Sequence, residues 1–153
     1  MARLVVDGMN VIGSRPDGWW RDRDAAVRSL LRRLQRLVTA TGDEVTLALD
    51  GRPLPDVPEG DHGGVVVRYP GGPERDADQR IVELVSADAH PQSLRVVTSD
   101  RALRQRVGAA GAEIAGVGAF LRRLDEVADQ RGGGEADGGP IRPRSTWPEG
   151  DGR

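Results

Sequence analysis

The chain contains no cysteine, no lysine and only two histidines, His62 and His90. Without cysteine there are no disulfides, thiolate nucleophiles or zinc–thiolate sites. Without lysine, Schiff-base chemistry and the lysine of a P-loop are excluded, and two histidines do not suit a multi-histidine metal site. Aromatic residues make up 3% of the 153 residues, so a core must be packed by aliphatic side chains. No stretch is apolar for long enough to span a membrane, and Met1 leads straight into a strand-like run. Neither a membrane anchor nor a signal peptide is therefore expected, and a cytoplasmic location is. All 22 basic residues are arginine, a habit that a GC-rich genome explains, although arginine also offers bidentate contacts to phosphate. A net charge of −2 argues against strong nonspecific binding to nucleic acid.

What the chain does have is alternation. The short aliphatic runs "RLVV", "EVTLAL", "GVVVRY" and "SLRVVT" read as buried strands, and "AEIAG" as a brief fifth. Helical stripes lie between and after them. Val27, Leu30, Leu31, Leu34, Leu37 and Val38 share one face of a long helix that Gly42 stops. Shorter stripes run through "DADQRIVELV", "DRALRQRV" and "AFLRRLDEVAD". Strands alternating with helices predict an α/β, Rossmann-like three-layer fold, with a mainly parallel sheet covered on both faces. From Gly132 the composition turns to Gly, Pro, Arg and acids without periodicity. The expected organisation is a domain over residues 1–131 and a disordered tail over 132–153 that includes Trp147.

Four acids then fall at one address. Asp7 ends the first strand, Asp50 the second, Asp100 follows "RVVTS", and Asp78 lies in the first turn of the helix after the third strand. In an open parallel sheet the carboxyl ends of the strands line one edge, and ligands bind where the strand order reverses. A like-charge pair at ~4 Å and an effective dielectric near 20 costs on the order of 4 kcal/mol. Raised pKa values or a bound cation must offset it. An oxygen-only site suits Mg²⁺ or Mn²⁺. Each acid also has a plainer explanation. "DG" at Asp7-Gly8 and Asp50-Gly51 is ordinary turn chemistry, and Asp100 complements a helix N-terminus that Ser99 would cap. Asp76, with Gln79 three residues on, reads as a capping box that leaves Asp78 free. Asn10 reads equally as a loop stabiliser or a substrate contact. Trp19 and Trp20, in "SRPDGWWRDRD", read as a lid on the core before a base-stacking pair.

"VDGMNVIG", "RDADQRI" and "VVTSDRAL", in that order, resemble the motifs of the YacP-like group of NYN domains, a branch of the PIN-like nucleases. The resemblance runs from Arg3 to about Leu124. It implies a Rossmann-like PIN fold and divalent-metal-dependent cleavage of RNA phosphodiester bonds, with RNA (ribosome-associated mRNA included) as the partner. It places the catalytic and metal-binding role on Asp7, Asp50, Asp78 and Asp100, with Mg²⁺ or Mn²⁺ as the ion and Asn10 and Ser99 as polar supports. Asp7 and Asp100 are expected as direct ligands if the first and fourth strands pair, with Asp50 and Asp78 holding a second ion or orienting waters. Arg15, Arg21, Arg23, Arg52, Arg75 and Arg101 are placed to rim the acids or are plain solvated surface charges; of these Arg75 and Arg101, with Asn10 and Ser99, are the expected substrate contacts. The chain departs from the family's first motif at Met9, where an aromatic residue is common, and in the loop "GRPLPDVPEGDHGG". A phospho-receiver domain would need paired acids and a late lysine, and a dehalogenase-like phosphatase an acid where Met9 stands. The remaining alternative is a non-catalytic RNA-binding or scaffold protein of the same fold.

Overall fold

The computed structural model describes residues 1–134. Six strands form one sheet, in the spatial order β3-β4-β2-β1-β5-β6. β1 (Arg3–Asp7), β2 (Glu44–Ala48), β4 (Val65–Arg68), β5 (Leu94–Val97) and β6 (Glu113–Ala115) run parallel, and β3 (Gly60–His62) pairs antiparallel with β4. The chain builds outward from β1 to β2 and β4, then crosses back to add β5 and β6 on the other flank. The reversal of strand order therefore falls beside β1. No helix among the described residues is long and apolar enough to cross a membrane.

Two aliphatic layers hold the sheet. On one face α1 (Gly8–Gly13), α2 (Arg23–Thr41) and α5 (Val117–Gly134) pack Val11, Ile12, Leu30, Leu34, Leu37, Phe120 and Leu124 against Leu4, Val6, Val45 and Leu47. On the other, α3 (Ala77–Ala87) and α4 (Arg101–Ala109) pack Ile81, Val85, Leu103 and Val107 against Val5 and Val96. Burying each such Leu or Ile contributes roughly 1.5–3 kcal/mol, which is why β1 alternates sides and is closed on both.

The helix ends follow local chemistry. Asp22 caps α2 by accepting from the Ala25 amide at 3.0 Å, and Gly42 ends it at φ 74°. Asp76 and Gln79 form the reciprocal capping box expected at the start of α3. At α4 the expected cap is corrected by one residue. Asp100, not Ser99, is the N-cap, accepting from the Leu103 amide at 3.0 Å.

Two elements escape the sequence pattern. "DGMN" is not a turn, because Gly8 opens α1 directly after the strand. A Cβ on Gly8 would stand 2.8 Å from Leu49 Cδ2 and 2.9 Å from the Ala48 carbonyl oxygen, so glycine is needed for close packing on β2. The second is β3, joined to β4 by Gly63 and Gly64 at φ 60° and 90°, the left-handed pair that a two-residue hairpin turn requires. At the far end α5 continues to Gly134, past the composition change at Gly132. The rest of the expected tail, Trp147 included, lies outside the described residues.

Candidate active site

The strand register brings the predicted acids to one edge. Asp7 sits opposite Ala48 of β2, and Val6 opposite Val97 of β5, so β1 and β5 are neighbours as the expected placing of Asp7 beside Asp100 requires. Asp7 is buried, 5% exposed, at the point where the strand order reverses. The geometry of its carboxylate falls short of a capping hydrogen bond to α1, although the Asn10 amide lies close enough to favour the charged form. Instead Oδ2 accepts from the hydroxyl of Thr98 at 2.9 Å, and the same hydroxyl oxygen accepts from the Asp100 amide at 3.1 Å. Thr98, fully buried just past β5, thus ties the two acids together. Its one sequence signal is its place in "VVTSDRAL".

Asn10 lies in α1 rather than in a loop. Its Oδ1 accepts from both the amide and the hydroxyl of Ser99, at 2.8 and 2.9 Å. Asn10 and Ser99 therefore lock the first turn after β1 to the segment after β5, which is a structural use of both. Asp50 stands two residues beyond β2. Its Oδ1 accepts from the Ala77 amide at 2.7 Å, and its carbonyl accepts from Arg23 at the same distance. Asp50 thereby fastens the start of α3, and with it Asp78, to the end of β2.

Electrostatics distinguishes two of these acids, Asp7 and Asp78, from ordinary turn residues. Burial pushes the Asp7 carboxyl up to about 6, and the charges of Asp78 and Asp50 push the same way against the Thr98 hydroxyl and the Asn10 amide. Asp78 is raised by its own burial and then by Asp100, Asp76 and Asp50, with Arg106 opposing. The four carboxylates thus share one field, and among the described residues none of them is in a salt bridge. Convergence stops short of a cage. Among the described residues no group of three His, Asp or Glu side chains is placed to hold a metal ion. Asp7, Asp50 and Asp100 each give one oxygen to a neutral protein donor.

The two expected phosphate contacts differ. Arg101 is exposed at the start of α4 and takes part in no ion pair among the described residues. Arg75 is already engaged, donating to the Pro70 carbonyl at 2.8 Å and pairing with Glu83. Arg15 is likewise paired, with Asp125 at 3.2 Å.

A parallel sheet sandwiched by helices, with acids at the switch point, defines a PIN-like α/β protein of nuclease-type fold. The model of the YacP-like NYN domain matches residues 4–136, and the chain belongs to that family. Two solved structures share the fold. Rae1 (YacP) from Bacillus subtilis is 23% identical with a TM-score of 0.70, covering 89% of this chain and 80% of that one. A tryptophan-to-leucine mutant of Rae1 is 22% identical with a TM-score of 0.68, covering 85% and 79%. No curated protein matches the chain.

Proposed function

We propose that the chain is a cytoplasmic, divalent-metal-dependent endoribonuclease that cleaves RNA phosphodiester bonds at the carboxyl edge of the sheet. One observation carries this reading. A carboxylate, Asp7, is buried at the switch point without a cationic partner, in the field of Asp78 and Asp50. An arrangement that costs stability at neutral pH, in a domain of a nuclease-type family, is best explained by a cation that relieves it.

The donor chemistry fits Mg²⁺ or Mn²⁺, which keep several waters and bind through one or two carboxylates with substrate phosphate. Asp7 with Asp78 or Asp100 would hold the ion, which when bound supplies an acidified water and neutralises charge on the phosphate. The protein's own part is placement. Thr98 fixes the rotation of the Asp7 carboxylate through Oδ2. Asn10 and Ser99 hold the two switch-point segments in contact. Asp50, which holds the Ala77 amide at the start of α3, suits positioning of Asp78. Arg101, exposed and without an ion pair among the described residues, suits a phosphate.

The lack of a ready three-acid cluster among the described residues favours a second reading, RNA binding without cleavage. Incubating the protein with RNA and Mn²⁺ separates the two. Cleavage that Asp7→Asn abolishes supports the nuclease, while equal RNA retention in chelator with no cleavage supports the binder.

A further inference from the structure

Among the described residues only two large apolar side chains are exposed, Met1 and Trp20, the latter at 60%. Trp20 sits on a single 3-10 turn, Trp19–Arg21, between α1 and α2. This turn is braced. Asp17 accepts from the Trp19 amide at 3.2 Å, and Trp19 packs on the core beside Gly13. Trp20 meets Trp19 edge to face, with ring centroids 6.3 Å apart and planes at 85°. The Arg21 guanidinium lies 6.0 Å from the centre of the Trp20 ring. Both flanking helices touch the carboxylate edge, α1 through Asn10 and α2 through Arg23 on the Asp50 carbonyl. The lid expected of this pair is thus half right: Trp19 covers core, whereas Trp20 does not.

We propose that Trp20 is a stacking platform for one unpaired base of a single-stranded RNA, with Arg21 taking an adjacent phosphate. The proposal rests on the RNA reading above and names the form of RNA. The exposed apolar surface is one ring wide, which fits one planar ligand and is too small for a protein interface. Bases in a duplex are already stacked on one another, so only an unpaired base presents a free face to the ring. Stacking on an aromatic residue also needs no sequence match, and a cation beside the ring strengthens it.

The test is binding of a labelled single-stranded oligoribonucleotide in chelator, read by fluorescence anisotropy, for the full chain and its Trp20→Ala and Trp20→Phe variants. Trp20→Ala is expected to weaken binding by about 5- to 100-fold, and Trp20→Phe to recover most of the loss. An abasic strand should bind the wild type and Trp20→Ala alike. No binding by the wild type, equal binding of the base-containing strand by wild type and Trp20→Ala, or the same loss on the abasic strand overturns the proposal. Cleavage in Mn²⁺ is measured in parallel. Trp20-dependent binding without cleavage by the wild type sinks the nuclease reading alone, and intact cleavage with Trp20-independent binding sinks only the platform.

Discussion

The two edges of the sheet treat their charges in opposite ways. At the amino edge Arg3 pairs with Asp88 at 2.6 Å and with Glu44 at 3.2 Å, and Arg95 with Glu113 at 3.3 Å. There the Arg3 guanidinium, with help from the His90 amide, holds the Asp88 carboxyl below the usual range. At the carboxyl edge Asp7 and Asp78 are raised instead, by burial and by neighbouring acids that outweigh the opposing charge of Arg106 on Asp78. The same residue type is thus neutralised where it holds strands together and left strained where chemistry is proposed. A sheet has no need of unpaired acids for folding, so the contrast separates the functional edge from the structural one.

The sharpest way to break this contrast is activity. Asp7→Asn and Asp100→Asn should each lower RNA cleavage in Mn²⁺ by about 100-fold or more, if charge at that edge serves the reaction. Matching amino-edge changes such as Asp88→Asn should leave the rate nearly unchanged. Equal cleavage by wild type and both edge variants, in contaminant-free preparations, would erase the distinction.

Stability in chelator gives the next largest effect, and its sign is opposite at the two edges. The folded-state pKa of Asp7, about 6, lies above the 3.8 of an ordinary aspartate. The folded state therefore holds the proton longer, and the wild type loses stability as pH rises from about 4 to about 6. At one pKa unit per ~1.4 kcal/mol the loss is about 2–3 kcal/mol at neutral pH. Asp7→Asn should recover much of it above pH 6 and nothing below pH 4, seen as a pH-dependent gain in Tm. Asp88 runs the other way. Its folded pKa is depressed, so it contributes stability at neutral pH that is lost as pH falls below about 4. Asp88→Asn should accordingly lower Tm at neutral pH. Destabilisation by both variants at pH 7 would show that Asp7 is an ordinary structural acid.

Packing at the same edge offers a comparable effect of a different origin. Gly8→Ala pushes a methyl into Leu49 and the Ala48 carbonyl and should cost about 1–3 kcal/mol, read from chemical denaturation. The smallest effect concerns arginine. Arg101→Ala should reduce the salt dependence of RNA binding by about one phosphate contact, while Arg75→Ala, whose guanidinium is committed to Glu83 and Pro70, should leave the slope unchanged.

Much of this was legible in the sequence, because it depends on periodicity and on strand ends. The five parallel strands announce themselves by β-branched runs, the helices by aliphatic stripes, and the placing of Asp7, Asp50 and Asp100 along one edge follows from parallel strands. The elements that were not legible depend on partners distant in the chain. α1 is six residues long and contains two glycines and an asparagine, too short and too poor in helix formers to stand unaided. Val11 and Ile12 hold it to the core. β3 has no apolar alternation and exists only by pairing with β4. Thr98 looks like strand filler until the register sets it beside Asp7, and the cap that Asp50 supplies to α3 spans 27 residues of sequence.

The central place of β1 has a dynamic consequence. Its backbone is hydrogen-bonded on both sides, to β2 and to β5, and its side chains are closed in by helices on both faces. Local opening cannot release it, so the amides of Val5 and Val6 should exchange with deuterated solvent only when the whole domain unfolds. Asp7, the last residue of that strand, is therefore carried on the slowest-exchanging segment of the molecule. The turn bearing Trp20 carries no sheet bonds and should exchange many orders of magnitude faster. A bound strand would meet a floor that cannot yield and a wall that can.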